Sequence, residues 1–288
     1  MSRFNEHQKG LIAVFIAAIL WSTGGIFIKL ISLNSLQLAG LRSLFAALTF
    51  LIIFRKKVFK FNRFTFINGL FYAGILILFV IATKTTTAAN AIFLQYTAPI
   101  YVLILEPILL KTYFERFNLI TIVICFAGMV LFFMGELSPG HIQGNIVALL
   151  SGVAFAAFLL GMRKNKPEYQ YPTIFVGNLI IAIICSFSFF DIKEFLVSDF
   201  IMVSFLGIFQ IGIAYAIFSW GLKKVYAIEA SMISMIEPVL NPVWVLIGYG
   251  EQPSNWAILG GIIILFGITF RTVILEKYIS KRITDKVV

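Results

Sequence analysis

Residues 227–248 read AIEASMISMIEPVLNPVWVLIG, and this stretch decides the class of the chain. As a helix rising about 1.5 Å per residue it would be about 33 Å long, enough to cross a hydrocarbon core of about 30 Å. Glu237 stands near its middle, about 15 Å deep. A carboxyl at that depth is costly and needs a cation, a water-filled cavity or its own proton. The stretch therefore predicts a membrane span with a polar site at mid-bilayer, as a path for a small molecule requires.

The rest of the chain has the same character. Of its 288 residues 60% are hydrophobic and 12% are charged, and the mean hydropathy is +0.97. Long apolar runs recur from end to end, which excludes a soluble domain and predicts an all-α integral membrane protein. The short alternating segments of a β-barrel are absent. Ten spans are expected, at 10–30, 36–54, 64–83, 87–110, 118–135, 144–163, 172–190, 200–221, 227–248 and 255–275. The first run is long enough to span and no small-x-small site follows it, so it reads as a helix and not as a cleaved signal.

The net charge of +10 does not point to nucleic acid, because the basic residues flank the apolar runs. Nineteen of the 23 Lys and Arg fall at the N-terminus, in alternate loops and in the C-terminal tail. Only Lys29, Lys84 and Lys193 fall on the other side, and Arg42 lies within the second span. The positive-inside rule then predicts cytoplasmic termini in the inner or plasma membrane. Cys125 and Cys185 sit inside apolar runs and read as packing residues; His7 and His141 lie outside the spans. Neither a disulfide nor a metal centre is expected, and no cofactor.

An internal repeat appears at an offset of 139 residues, where Lys84, Ala88, Ala91, Pro99 and Gly128 match Lys223, Ala227, Ala230, Pro238 and Gly267. Gly10 opens the first span as Gly144 opens the sixth. Five spans per half is an odd number, so the halves would insert with opposite orientation, a design suited to alternating access. The expected units are 10–137 and 144–276.

These features come with a family resemblance. AILWSTGGIFIK (Ala18 to Lys29), Arg42 within LAGLRSLFAAL, TAANAIFLQYTAP (Thr87 to Pro99), and Gly250-Glu251 followed by NWAILGGIIILFGI resemble, in order and spacing, the EamA-type members of the drug/metabolite transporter superfamily. The first half departs from the pattern, with Lys111 and Thr112 where a second Gly-Glu would stand, so Glu251 reads as a cap at the start of the tenth span. The resemblance implies ten transmembrane helices as two inverted five-helix repeats around a central cavity. It implies a carrier without a prosthetic group, with a small-molecule substrate and the lipid bilayer as its partners; a homodimer stays open.

Candidate site residues follow from helical periodicity. Ala230, Ser234, Glu237 and Asn241 share one face of a continuous helix, and the repeat maps that face onto Ala91, Gln95, Ala98 and Val102. Glu237 is the candidate for proton coupling or for pairing a cationic substrate, against a structural carboxylate. Gln95 is expected to face the cavity opposite Ser234, with Asn90 and Tyr101 on the neighbouring face. Trp21 is mid-span, where it either walls a cavity or packs. Pro99 and Pro238 interrupt the fourth and ninth spans and are candidate hinges. Arg42 reads as snorkelling or as holding backbone carbonyls, Glu106 and Glu229 as snorkelling at span ends, and Trp244 as an interfacial belt residue.

The reading is a secondary active permease exporting a small polar metabolite or amino acid. The chain has no G-x-x-x-x-G-K-[ST] run for ATP. The alternatives are a passive channel or an integral membrane enzyme acting on lipid. No paired catalytic groups and no large loop support an enzyme, so no catalytic residue is assigned.

Overall fold

A computed structural model describes residues 5–86, 88–113, 116–134, 142–249 and 254–284; the side chains of 29, 88, 89, 241, 242, 245, 246, 248, 249 and 272–284 lie outside that description. Glu251 and the 135–141 loop therefore lie outside it too. The first half comprises α1 (Glu6–Ser22), α2 (Gly24–Leu30), α3 (Ser35–Phe54), α4 (Arg63–Thr85), α5 (Ala88–Gln95), α6 (Ala98–Leu110) and α7 (Arg116–Phe132). The second comprises α8 (Ile142–Lys164), α9 (Gln170–Cys185), α10 (Val197–Phe205), a π-helical segment at Leu206–Ile213, α11 (Ala214–Leu222), α12 (Ala227–Ser234), α13 (Ile236–Tyr249) and α14 (Asn255–Thr284). No strand occurs among the described residues. In a bilayer this is expected, since a helix satisfies its own backbone.

Local chemistry sets the helix starts. Asn5, Asn34 and Asn62 each cap a helix, with Gln8, Gln37 and Thr65 closing the reciprocal bond three residues on. Each cap satisfies amides that the first turn would leave open. The loops are short, and long apolar side chains cover the outside: Ile52 is 73% exposed and Ile183 70%. Such a surface would aggregate in water and suits lipid.

Seven helical segments among the described residues are long and apolar enough to cross a membrane. They correspond to the first four and the sixth to eighth expected spans. Arg116–Phe132 and Asn255–Arg271 are shorter apolar helices. Three expected spans are not continuous. The first breaks at Thr23, the fourth between Gln95 and Ala98, and the ninth at Met235. Pro99 lies in the first turn of α6 and Pro238 in that of α13. Proline is tolerated there because first-turn amides have no helical acceptor to lose. The second and third breaks therefore fall just before Pro99 and Pro238, while the first, at Thr23, has no proline after it.

Packing comes in exchanged pairs. Helix α4 lies on α8 as α11 lies on α1; α5 and α6 lie on α8 as α12 and α13 lie on α1; α3 crosses α9, and α7 runs along α14. Glycines permit the closest approaches. A Cβ on Gly128 would stand 2.9 Å from the Gly260 carbonyl oxygen and from Ile264, and one on Gly267 would stand 3.0 Å from Cys125 Sγ and 3.1 Å from Ile124. Gly10 abuts Lys224 and Val225, while Gly144 abuts Thr85 and Thr86. The partners Ile264 and Cys125, and Lys224 and Val225 against Thr85 and Thr86, match at the 139-residue offset, while Gly10 and Gly144 match at 134. Apolar helices in lipid associate through such van der Waals contact, so small residues at the crossings set how closely the backbones pack.

Candidate functional site

The helix breaks surround a narrow internal cavity of about 40 Å³, room for a few waters. Trp21 from α1, Arg42 from α3, Gln95 from the end of α5, Tyr96 from the break after it, Gln210 and Tyr215 from the eighth span, and Glu237 from α13 all line it. Leu76 and Phe155 add apolar wall. The site draws on both halves of the chain.

Glu237 is held from across the bundle. The Tyr96 hydroxyl donates to its Oε2 at 2.5 Å, so the interrupted fourth and ninth spans are bridged at the cavity. The length is that of a charge-assisted bond. Gln95 donates to Ser151 Oγ at 2.8 Å, and Ser151 in turn donates to the Ile75 carbonyl at 3.2 Å. Arg42 is 1% exposed and donates from Nη2 to the Leu76 carbonyl at 3.1 Å. It does not snorkel: its site about two turns into α3 lies under α4 and beside the Gly207 crossing, which would bring a Cβ against the Arg42 backbone. The carbonyl contact expected from sequence is made.

Aromatic rings form the remaining wall. The Trp21 ring stands 4.7 Å from that of Tyr215 and 4.8 Å from that of Phe218, and Tyr215 meets Tyr72 edge-on at 4.9 Å. Gln210 is turned inward by the π-helical segment, and its Nε2 lies 3.4 Å from the Trp21 carbonyl oxygen. Single π-turns of this kind often mark functional positions, because the extra residue per turn re-aims a side chain.

Trp21, Gln95 and Glu237 thus share one cavity. Ser234 does not line it. Its hydroxyl is fully buried and donates to the Ala230 carbonyl at 2.8 Å. The common face expected for Ser234 and Glu237 assumed an unbroken helix, and the break at Met235 changes the phase between them. Asn90 lies off the cavity too, near the N-terminal end of α5, and donates to Asn145 Oδ1 at 3.0 Å. The Tyr101 hydroxyl lies 3.5 Å from Thr97 Oγ1, one turn away. Asn241 falls on a side chain outside the described residues. Pro99 and Pro238 are both buried.

Periodicity missed Tyr96, Gln210 and Tyr215. Tyr96 adjoins a proline-linked break, a signal that was available. The π-turn that aims Gln210 leaves no mark in the sequence.

A second polar cluster closes one end of the bundle, where snorkelling was expected. Glu106, 2% exposed, accepts from the backbone amides of Ala227 and Ile228 at 2.9 and 2.8 Å. It caps the N-terminus of α12, where negative charge is favoured. Glu229, 1% exposed, pairs with Arg271 Nη1 and with His7 Nε2, both at 3.0 Å. Arg271 Nε donates to Asn118 Oδ1 at 2.9 Å. Both carboxylates face neighbouring helices and not lipid, so inward partners replace water. Trp244 is likewise no belt residue: its Nε1 donates to Ser22 Oγ at 2.8 Å. Among the described residues no His, Cys, Asp and Glu group could hold a metal.

Comparison with known proteins places this architecture. An uncharacterised transporter of Archaeoglobus fulgidus is 25% identical over 92% of this chain and 97% of its own. Human solute carrier family 35 member G1 is 21% identical over 89% of this chain and 76% of its own. A protein of known crystal structure has the same fold, with a TM-score of 0.79 at 17% identity, covering 92% of this chain and 97% of that one. The EamA-like transporter family matches the chain twice, at residues 8–134 and 142–273. These relatives are transporters and not enzymes, and with its apolar helices the chain is a multi-pass membrane transporter belonging to the EamA-like family.

Proposed function

We propose that the protein is a secondary active permease of the inner or plasma membrane, exporting a small polar metabolite or amino acid by alternating access. The carrying observation is the Tyr96–Glu237 hydrogen bond, which joins two interrupted spans over the cavity. Discontinuous helices at mid-membrane leave backbone groups and side chains free to meet a solute. A carboxyl there, tied to the opposite half by one bond, is a natural proton carrier.

Ten spans as two inverted repeats complete the proposal, with units at 10–137 and 144–276. Helix α5 ends at Gln95 and α12 at Ser234, positions that match at the repeat offset. The exchanged helix pairs and the glycine contacts support the same symmetry. Lys and Arg asymmetry supports cytoplasmic termini. A reporter fused after Val288 is expected to behave as cytoplasmic and one near Ser138 as external; the same side for both refutes the topology.

The coupling test is Glu237→Gln in proteoliposomes. Gln keeps the size and much of the hydrogen bonding but cannot titrate. If Glu237 carries the proton, the variant keeps exchange at saturating solute and loses acceleration by a pH gradient. Unchanged gradient-driven flux removes Glu237 from coupling. Trans-stimulation in counterflow is also expected, and its absence would favour a passive channel.

A further inference from the structure

We propose that the cavity is a zwitterion site, in which Arg42 and Trp21 take a carboxylate while Glu237 and Gln210 take an ammonium group. This rests on the transporter reading and names the class of solute. Three buried polar atoms on cavity-lining side chains have no hydrogen-bond partner among the described residues: Arg42 Nε, Trp21 Nε1 and Gln210 Oε1. Their side chains are 1%, 5% and 8% exposed. A buried N–H or C=O left unpaired is costly, so such atoms on a cavity wall call for a bound water or a ligand group.

Their chemistry divides into two kinds. Arg42 Nε–H and Trp21 Nε1–H only donate, and Arg42 adds a permanent positive charge. They suit a carboxylate. Gln210 Oε1 only accepts, and the Glu237 carboxylate has one oxygen engaged by Tyr96 and one remaining. These suit an ammonium group. Among the described residues neither Arg42 nor Glu237 enters an ion pair, although both line one cavity. Two opposite charges kept apart in a low-dielectric site complement a solute that carries both. A solute with one charge would leave the other buried charge unmatched. The face of Tyr215 adds a wall on which a cation can rest. At its present volume the cavity is contracted, so the solute enters with an opening of the bundle.

The test uses the purified full-length protein in nanodiscs. Thermal shift and calorimetry are run with the proteinogenic amino acids. The best binder is then compared with its decarboxylated amine and its deaminated acid. At least one zwitterion is expected to bind, and each single-charge analogue about tenfold or more weaker. Trp21→Phe keeps the ring and removes the N–H. It should weaken the zwitterion and the acid about tenfold and leave the amine unchanged. Glu237→Gln should do the reverse, weakening zwitterion and amine and sparing the acid. A merely structural role does not produce this crossed pattern, and Arg42→Gln should follow Trp21→Phe. Three results overturn the proposal: no amino acid binds, the amine binds as tightly as its parent, or Trp21→Phe weakens all three alike. Counterflow with the same panel separates this from the transporter reading. Exchange of amines alone leaves a transporter without the carboxylate subsite. The crossed binding pattern without any exchange leaves the subsite and removes the transporter reading.

Discussion

Removing the Tyr96 hydroxyl isolates the bond that joins the two interrupted spans at the cavity. The donor–acceptor distance is 2.5 Å, at the short end of the range for a hydroxyl on an ionised carboxylate. A bond of that kind contributes about 1.5–3 kcal/mol, against about 0.5–1.5 kcal/mol for a neutral pair. Tyr96 is 1% exposed, so phenylalanine fills the same space and bulk water does not replace the lost donor. Tyr96→Phe is therefore expected to cost about 1.5–3 kcal/mol while the carboxyl is ionised. Part of that loss reflects the acceptor left behind, so the single variant overstates the bond. A double-mutant cycle with Glu237→Gln removes this error. The assay is reversible unfolding in mixed micelles, followed by tryptophan fluorescence, at several pH values. A coupling free energy of about 1.5–3 kcal/mol is expected at alkaline pH, falling toward the neutral-pair value once the carboxyl takes up a proton. Coupling below about 0.5 kcal/mol at every pH would refute the contact, because it falls under the range even of a neutral hydrogen bond.

The α7–α14 contact predicts a contrast between two glycines. Gly128→Ala puts a Cβ 2.9 Å from the Gly260 carbonyl oxygen, whereas the nearest atom to a Cβ on Gly74 is Ala154 Cβ at 3.5 Å. Gly128→Ala should lose about 1–3 kcal/mol of unfolding free energy, and Gly74→Ala should lose nothing measurable. Glu106→Ala uncaps two buried amides of α12 and should cost about 1–3 kcal/mol, with Glu106→Gln recovering part of it. Arg271→Met leaves the Glu229 carboxylate with His7 as its remaining side-chain partner and should destabilise by about 3–5 kcal/mol. Adding Glu229→Gln should recover most of that loss, and failure to do so would show that Arg271 acts through packing.

Much of the architecture is visible before any coordinates. A bilayer imposes one strong rule, that each crossing must be long, apolar and helical. Seven of the expected spans meet it outright among the described residues. The offset of 139 residues identifies glycines that later prove to lie in reciprocal contacts. Glu237 and Trp21 are singled out because a carboxyl and an indole at mid-span have few other uses.

Positions that depend on helix phase were not legible. The stripe through Ser234, Glu237 and Asn241 assumed 3.6 residues per turn without a break, and the interruption at Met235 parts Ser234 from the cavity. Gln210 faces the cavity from within a π-helical segment, whose wider turn departs from the 3.6-residue phase. Partner choice was equally hidden. Glu106 and Glu229 looked free to reach the interface, yet one caps α12 and the other meets Arg271 and His7.

The division has a physical cause. Hydrophobicity, charge asymmetry and internal repetition are properties of segments, and the membrane acts on each segment separately, so composition and order suffice to assign them. A binding site is a set of distances between side chains far apart in the chain. Tyr96 and Glu237 lie 141 residues apart, and their meeting depends on where two helices break and how closely glycines let their neighbours approach. Those are outcomes of packing, and only the assembled bundle contains them.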